Sequence, residues 1–200
     1  MQNILTPYSI CFLGRTGNGK SSLINELFGT KLNTDPLVSC TKELHAVTIV
    51  TDEVANHDSI TIYDTPGIGE YSSIVKYQRY YEYAVNKSDC IVLVTTFDRT
   101  DAAAQRLLMQ MKPFVNQEKD VRFVIALNHI DSRIVSDKEA TYIPWNEELN
   151  EPSEKCLNFI EQRKEIINQR FAGKFLDFEI VPVCAMRHYG IENLKNSLIK

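Results

Sequence analysis

The feature that most constrains this chain is a glycine-rich octapeptide between an apolar segment and a helix-like segment. Residues 10–13 are apolar, as in a buried strand, and residues 22–28 carry apolar side chains at helical spacing. The octapeptide fits the pattern G-x-x-x-x-G-K-[ST], in which glycines let backbone N–H groups turn inward around a phosphate. Its residues are Gly14, Arg15, Thr16, Gly17, Asn18, Gly19, Lys20 and Ser21. The sequence therefore predicts a strand, a phosphate-binding loop (P-loop) and a helix.

Two side chains at the end of the loop indicate how phosphates would be held. Lys20 can reach the β- and γ-phosphates of a nucleotide, and the Ser21 hydroxyl can ligate Mg²⁺. The N-terminus of the following helix adds partial positive charge. The loop thus predicts a nucleoside triphosphate with Mg²⁺, but it selects neither the base nor the reaction.

A second segment provides a carboxylate and a glycine at the end of another strand. Residues 60–64 alternate as a strand does, and the D-x-x-G segment Asp64-Thr65-Pro66-Gly67 follows. A carboxylate at a strand end beside the P-loop can serve Mg²⁺, and the N–H of a bare glycine can approach a γ-phosphate closely. Asp64 and Gly67 are therefore predicted at the γ-phosphate end of the site.

The base is predicted from the residues that follow a third strand. The apolar segment 121–127 leads into Asn128, His129 and, two residues later, Asp131. A carboxylate at Asp131 can accept hydrogen bonds from both N1–H and the amino group of guanine, whereas adenine offers no such pair. This motif therefore favours a guanine nucleotide and disfavours an ATPase or a small-molecule kinase.

A last strand-like segment, residues 178–183, leads into Cys184 and Ala185. Ligands of open α/β sheets bind at the carboxyl ends of the strands. The P-loop, the D-x-x-G segment and the segments after these two strands are therefore expected to converge at one sheet edge.

In order and spacing, these motifs resemble those of P-loop GTPases of the translation-factor-related class, which includes Era-like, septin-like and immunity-related GTPases. The resemblance extends from residue 9 to about residue 199. It implies an α/β fold of three layers, a G domain with a six-stranded, mostly parallel sheet and one antiparallel edge strand. It also implies Mg²⁺-dependent binding of GTP and GDP and hydrolysis of GTP, used as a conformational switch.

The resemblance carries roles over to single residues. Thr41 is similar to the switch I threonine that completes the Mg²⁺ shell, and the Ala185 N–H would face the guanine carbonyl oxygen. The implied catalytic residues are Lys20, Thr41 and Gly67, and the implied metal ligands are Ser21, Thr41 and Asp64. The implied nucleotide-binding residues are Gly14, Arg15, Thr16, Gly17, Asn18, Gly19, Lys20, Ser21, Ser22, Asn128, His129, Asp131, Cys184 and Ala185.

Three positions depart from the pattern of related families. His129 replaces a lysine that covers the base and ribose, and its imidazole could stack there instead. Ile68 stands where Ras-like enzymes have a glutamine that orients the attacking water, so slow hydrolysis is expected without a partner or dimer. Gly17 stands where potassium-dependent relatives have an asparagine, so potassium activation is not expected. Arg15 is either a solvated side chain or a source of charge at the transition state, in the same molecule or across a dimer.

Composition fits one globular domain over residues 1–200 in a reducing, cytoplasmic compartment. The five cysteines form no C-x-x-C pair, so zinc and a disulfide framework are not expected. The net charge of −4 gives no basic footprint for nucleic acid, and no apolar run approaches the ~20 residues of a membrane span. Besides GTP and GDP, a GTP-dependent homodimer or a protein effector are the partners considered.

The remaining predictions concern the elements and one long connection. Strands are predicted at about 9–13, 44–51, 60–64, 90–95, 121–127 and 178–183, and helices at about 20–27, 74–86, 102–111, 153–171 and 191–199. The helix at 153–171 carries Leu157, Ile160, Lys164 and Ile167 at roughly the 3.6-residue spacing of a helical face. The insertion-like loop at about 132–152, which contains Trp145, is either a partner-docking loop or a flexible insertion. A nucleotide-dependent assembly or binding module with negligible turnover remains the alternative function.

Overall fold

A computed structural model of the chain describes residues 6–34, 43–69, 71–96, 102–132 and 145–199. Its strands are β1 (Tyr8–Gly14), β2 (His45–Val50), β3 (Ser59–Asp64), β4 (Cys90–Thr96), β5 (Arg122–Asn128), β6 (Trp145–Asn146), β7 (Glu151–Pro152) and β8 (Phe178–Pro182). Its helices are α1 (Lys20–Phe28), α2 (Tyr71–Lys87), α3 (Ala102–Met111), α4 (Glu154–Phe171) and α5 (Ile191–Leu198). Short 3₁₀ turns follow α3 and β8, at Lys112–Phe114 and Ala185–Arg187.

Six of these strands form one sheet in the order β2-β3-β1-β4-β5-β8. All neighbours are parallel except β2, which pairs antiparallel with β3 at the sheet edge. Helices flank this sheet, so the predicted α/β fold class is confirmed, including its antiparallel edge strand. β1 lies between β3 and β4, and the crevice outside such a point of strand-order reversal is where open α/β sheets bind ligands.

Alternating side chains of the strands build two cores, one on each face of the sheet. In β1, Ile10 and Phe12 pack in a cluster with residues of α1 and α5. Cys11 and Leu13, from the same strand, pack in a second cluster with residues of α2, α3 and α4. A strand that is buried on both faces favours apolar side chains at successive positions, which explains the continuous apolar run at residues 10–13 of β1.

The strand registers align the ends of the strands that carry the motifs. Asp64, the last residue of β3, pairs with Phe12, two residues before the end of β1. On the other side, Gly14 pairs with Val94 of β4. Asn128, the last residue of β5, pairs with Thr96 of β4. The predicted motifs therefore emerge at the same edge of the sheet.

Two helices add detail that the sequence patterns did not give. α2 begins at Tyr71, three residues earlier than predicted. In α4, not all residues at the helical spacing noted in the sequence are buried, since 46% of Leu157 is exposed. The buried residues of α4 are Cys156, Ile160, Ile167 and Phe171. Lys164 pairs at 2.8 Å with Glu161 on the same helix. Within the described parts of the chain, none of the helices has the length and apolar character needed to cross a membrane.

The described end of the predicted insertion is a two-stranded ribbon. β6 and β7 pair antiparallel, and we call residues 145–152 the ribbon. The Trp145 side chain is only 2% exposed and meets the Tyr189 ring edge-on, with centroids 5.5 Å apart. Trp145 therefore anchors the ribbon to the body of the fold. Residues 133–144 of the insertion lie outside the described residues.

The N-terminus of α4 provides a test of local stability. The Ser153 hydroxyl oxygen accepts a hydrogen bond from the backbone N–H of Cys156 at 3.2 Å, as an N-cap does. We expect Ser153→Ala to lower the free energy of unfolding by about 1 kcal/mol and the melting temperature by about 2–4 °C, because this N–H loses its partner. Ser153→Asn, which retains a capping oxygen, is the matched control. Equal losses in both variants in urea titrations would contradict the capping role.

Candidate nucleotide-binding site

The P-loop connects β1 to α1 in a conformation that depends on glycine. Gly17 and Gly19 have φ angles of 81° and 83°, which side-chain-bearing residues adopt only at a cost. The buried Lys20 ammonium folds back onto the loop, where it donates to the backbone oxygens of Gly14 at 3.1 Å and Arg15 at 3.4 Å. The predicted phosphate-binding cation thus lies at the N-terminus of α1.

Ser21 and Asp64 meet at the end of this loop, although they are 43 residues apart in the sequence. The Ser21 hydroxyl donates to Oδ2 of Asp64 at 2.7 Å, and Asp64 is buried at the end of β3. A hydroxyl beside a carboxylate is an oxygen donor set of the kind that Mg²⁺ prefers. These residues therefore fit the predicted metal site. Thr41, the third predicted ligand, lies outside the described residues.

The segment after Asp64 is fastened to the sheet and to α2. The Thr65 hydroxyl donates to the backbone oxygen of Phe12 at 2.7 Å. The Tyr81 hydroxyl donates to the backbone oxygen of Pro66 at 3.1 Å. Both donors are buried, so the path of the D-x-x-G segment is determined by the core beneath it.

The same segment is bonded directly to the P-loop. The Ile68 N–H donates to the Gly14 oxygen at 3.0 Å, and the Thr16 N–H donates to the Ile68 oxygen at 3.4 Å. Gly67 lies so close to Thr16 that an added Cβ would be 2.7 Å from the Thr16 Cα. The Ile68 side chain is 0% exposed and belongs to the core. The residue at the glutamine position therefore points into the protein interior.

Hydrogen bonds of two asparagines connect the P-loop to β4, to the end of β5 and to the segment after β8. Asn18 donates from Nδ2 to the Val94 oxygen at 2.8 Å. Asn128 donates from Nδ2 to the Asn18 oxygen at 3.0 Å, and its Oδ1 accepts from the Ala185 N–H at 3.5 Å. The residues predicted around phosphate and base are thereby brought together. The sequence singled out Asn18 only as a P-loop position and missed this connecting role.

Asp131, in the segment after β5, contacts Arg187 in the segment after β8. Its Oδ2 accepts a hydrogen bond from Nε of Arg187 at 3.3 Å. Burial, together with the Asp131 carboxylate, raises the pKa of the Cys184 thiol to about 12, so this thiol is protonated at neutral pH. The neighbouring His129, with φ of 58°, puts its ring against the P-loop, because a Cβ added to Gly19 would lie 3.2 Å from Nε2.

Sequence reasoning missed Arg187 as a residue of this site. Its side chain contacts Asp131, 56 residues earlier, and Glu147, 40 residues earlier. Neither spacing belongs to a local motif. The one available signal was indirect: an acidic segment beside the only tryptophan, in an insertion that follows the base motif.

A family model described as "50S ribosome-binding GTPase" matches residues 9–129, more than half of the chain. The chain belongs to this P-loop GTPase family. GTPase Era of Clostridium novyi is 27% identical to this P-loop GTPase over 199 residues, covering 96% of the chain and 54% of that protein. GTP-binding protein A of Dictyostelium discoideum is 26% identical over 160 residues, covering 72% of the chain and 34% of that protein. The chain thus spans about half or less of the length of these relatives.

Solved structures of other GTPases share the fold. A dimerization-deficient mutant of Toc33 from Arabidopsis thaliana matches this GTPase with a TM-score of 0.67 at 17% identity, covering 99% of the chain and 85% of that protein. Era in complex with MgGDPNP and nucleotides 1506–1542 of 16S ribosomal RNA matches with a TM-score of 0.64 at 21% identity, covering 98% and 56%. At these identities the likeness establishes the fold alone.

Two glycines of the P-loop allow a matched test of the site's packing. A Cβ added to Gly19 would lie 2.5 Å from Nδ2 of Asn128, whereas among the described residues no heavy atom beyond the chain neighbours lies within 4 Å of one added to Gly17. Both glycines have a positive φ, so an alanine at either position is strained. For this reason alone we expect Gly17→Ala to lower the free energy of unfolding by about 1–2 kcal/mol. Gly19→Ala should cost about 1–3 kcal/mol more through the clash. Urea unfolding without nucleotide measures both, and equal costs would show that Asn128 does not restrict the loop.

Proposed function

We propose that this GTPase binds GTP with Mg²⁺, hydrolyses it slowly to GDP and phosphate, and uses the exchange of the two nucleotides as a conformational switch. The observation that carries the proposal is the 2.7 Å hydrogen bond between Ser21 and Asp64 beside the buried Lys20. It joins a hydroxyl and a carboxylate at the positive end of α1. Residues 1–200 would form one G domain that acts in the cytoplasm.

In this proposal the P-loop backbone and Lys20 hold the phosphates. A triphosphate would replace the contacts that the Lys20 ammonium makes with the Gly14 and Arg15 oxygens, since a phosphate oxygen offers it a charged acceptor. Ser21 and Asp64, with Thr41 from switch I, would hold Mg²⁺, Asp64 through water. When bound, Mg²⁺ supplies positive charge to the β- and γ-phosphate oxygens.

The proposed base site consists of Asp131, Asn128 and the backbone N–H of Ala185. Asp131 would accept from N1–H and the amino group of guanine. The Ala185 N–H, which lies 3.5 Å from Oδ1 of Asn128, would also donate to the guanine carbonyl oxygen, as a bifurcated donor. Support comes from the hydrogen bonds that connect Asn128 both to the P-loop and to Ala185. Through them, the distance between the phosphate and base sites is fixed by buried side chains.

The proposed reaction is attack of water on the γ-phosphorus. The bond between this phosphorus and the oxygen that bridges it to the β-phosphate breaks, and GDP leaves with that oxygen. Lys20, the P-loop N–H groups and the Gly67 N–H would stabilise the charge on the transferring group. Ile68 cannot hydrogen-bond water, and its buried side chain makes slow turnover by the isolated monomer the expected behaviour. A homodimer or a protein effector would then supply the missing group, and Arg15, only partly exposed, is a candidate for acting across a dimer.

The burial of Ile68 also favours the second candidate function, a nucleotide-dependent assembly or binding module with negligible turnover. Such a module needs the phosphate and base sites but no oriented water. The two functions make the same binding predictions and differ in phosphate release.

Base selection provides the first functional test. We expect GTP and GDP to bind on the order of 10³-fold more tightly than ATP and ADP, because adenine would leave the Asp131 carboxylate without its donors. Asp131→Asn should shift the preference toward xanthine nucleotides, since an amide can donate to the carbonyl that replaces the guanine amino group. Calorimetric titrations with GDP, ADP and xanthosine diphosphate measure this. Similar affinities for GDP and ADP in the unchanged chain would remove the guanine assignment.

Turnover provides the second functional test and separates the two candidates. With GTP and Mg²⁺ we expect multiple-turnover phosphate release at or below about 10⁻² s⁻¹, as for G domains without an added arginine or partner. A rate per molecule that rises with protein concentration would indicate that a dimer completes the site, and Arg15→Ala should then abolish the rise. Release indistinguishable from a Lys20→Ala control would instead favour the binding module. Fast turnover at high dilution would contradict the water-positioning argument from Ile68.

A further inference from the structure

One guanidinium group connects the base-recognition segment to the ribbon. Nε of Arg187 donates to Oδ2 of Asp131 at 3.3 Å. Its other two nitrogens, Nη1 and Nη2, donate to the two carboxylate oxygens of Glu147 at 2.8 and 2.9 Å. Arg187 thus bridges two carboxylates, with a two-pronged contact to the ribbon and a single contact to Asp131.

The ribbon also fixes the plane and the backbone of Arg187. The guanidinium carbon lies 4.8 Å from the ring centroid of Trp145, within the range of a cation–π contact. Trp145 in turn donates to Oδ1 of Asn150 at 3.1 Å, and Asn150 donates from Nδ2 to the backbone oxygen of Arg187 at 3.2 Å. A planar guanidinium held in this way presents its Nε–H to Asp131 in a fixed direction. The flexible ammonium group of a lysine could not do so.

The charges around Asp131 make Glu147 more than an anchor. Alone, Arg187 would offset the negative charge of Asp131 and weaken it as an acceptor. Hydrogen bonding from Arg187 lowers the pKa of Glu147, so Glu147 is ionised at neutral pH and offsets the guanidinium. The three groups together keep one net negative charge, the charge that Asp131 needs to accept two donors from a base.

We propose that Arg187, held by the ribbon through Glu147 and Trp145, is a positioning residue that orients the Asp131 carboxylate and sets its discrimination for guanine. This inference rests on the proposed binding of guanine nucleotides. A carboxylate that accepts from N1–H and the 2-amino group must present both oxygens in the plane of the base. Because Nε of Arg187 donates a hydrogen bond to Oδ2 of Asp131, it restricts rotation of this carboxylate.

Inosine diphosphate (IDP) isolates this effect because hypoxanthine lacks only the 2-amino group. The measurement is the ratio of IDP to GDP dissociation constants for the unchanged chain, Glu147→Gln and Arg187→Lys, with Glu148→Gln as the matched control. Glu148 is an exposed neighbour in the ribbon, whereas the two carboxylate oxygens of Glu147 accept hydrogen bonds from Nη1 and Nη2 of Arg187. We expect the ratio to fall about threefold to tenfold in Glu147→Gln and Arg187→Lys, as for coupled members of one hydrogen-bond network, and to stay constant in Glu148→Gln.

A purely structural role would lower both affinities alike and leave the ratio unchanged, which would overturn the inference. Tighter GDP binding by Arg187→Lys would also overturn it, because Arg187 would then occupy the place of the base. If Arg187→Lys lowers the melting temperature, the IDP/GDP ratio of Glu147→Gln still tests the inference. The Glu147 side chain is 73% exposed, so this substitution is not expected to disturb the core. The affinity for ADP separates failure of the proposed function from failure of the role of Arg187. Equal binding of GDP and ADP by the unchanged chain removes the proposed function itself, whereas a GDP preference with unchanged ratios in both variants removes only the role of Arg187.

Discussion

The arrangement of this site depends on the buried hydrogen bonds of Asn128. Its amide donates to the P-loop at Asn18 and accepts from the backbone of Ala185, while Asn18 holds the end of β4 at Val94. These polar groups are removed from water, so each lost bond would leave a costly unpaired donor or acceptor. They therefore favour one relative position of three loops that follow three different strands. The parallel sheet brings these loops to one edge, and the asparagines fix them there.

The parts of the molecule that the sequence predicts are those determined by local patterns. The glycines and Lys20 of the P-loop lie within eight residues, and the continuous apolar run of β1 at residues 10–13 is visible in its own sequence. The proximity of Ser21 and Asp64 was predicted because each belongs to a motif whose place at a strand end is known. The pattern of the strands was likewise sufficient for the fold class.

The parts that the sequence did not predict depend on long-range contacts or on which face of a helix packs against the fold. The helical spacing in α4 did not identify its buried face, because Leu157 shares that spacing yet is exposed, and only packing against the rest of the fold selects the buried residues. The contact between Arg187 and the ribbon was not predicted for a related reason. In a sequence, an arginine has many acidic residues as candidate partners. The choice of Glu147 and Asp131 becomes visible only when strands β5 and β8 are adjacent.

The burial of Ile68 has a mechanical consequence for the proposed switch. Its side chain is in the core, and its N–H and oxygen are bonded to the P-loop on either side of Arg15. To detach it would expose an apolar side chain, at about 1.5–3 kcal/mol, and break two backbone bonds of about 0.5–1.5 kcal/mol each. Loss of a phosphate contact alone is therefore not expected to detach Ile68 from the P-loop. In the proposed switch, Ile68 would keep the same position in the GTP-bound and GDP-bound states, as a fixed point between the P-loop and the core.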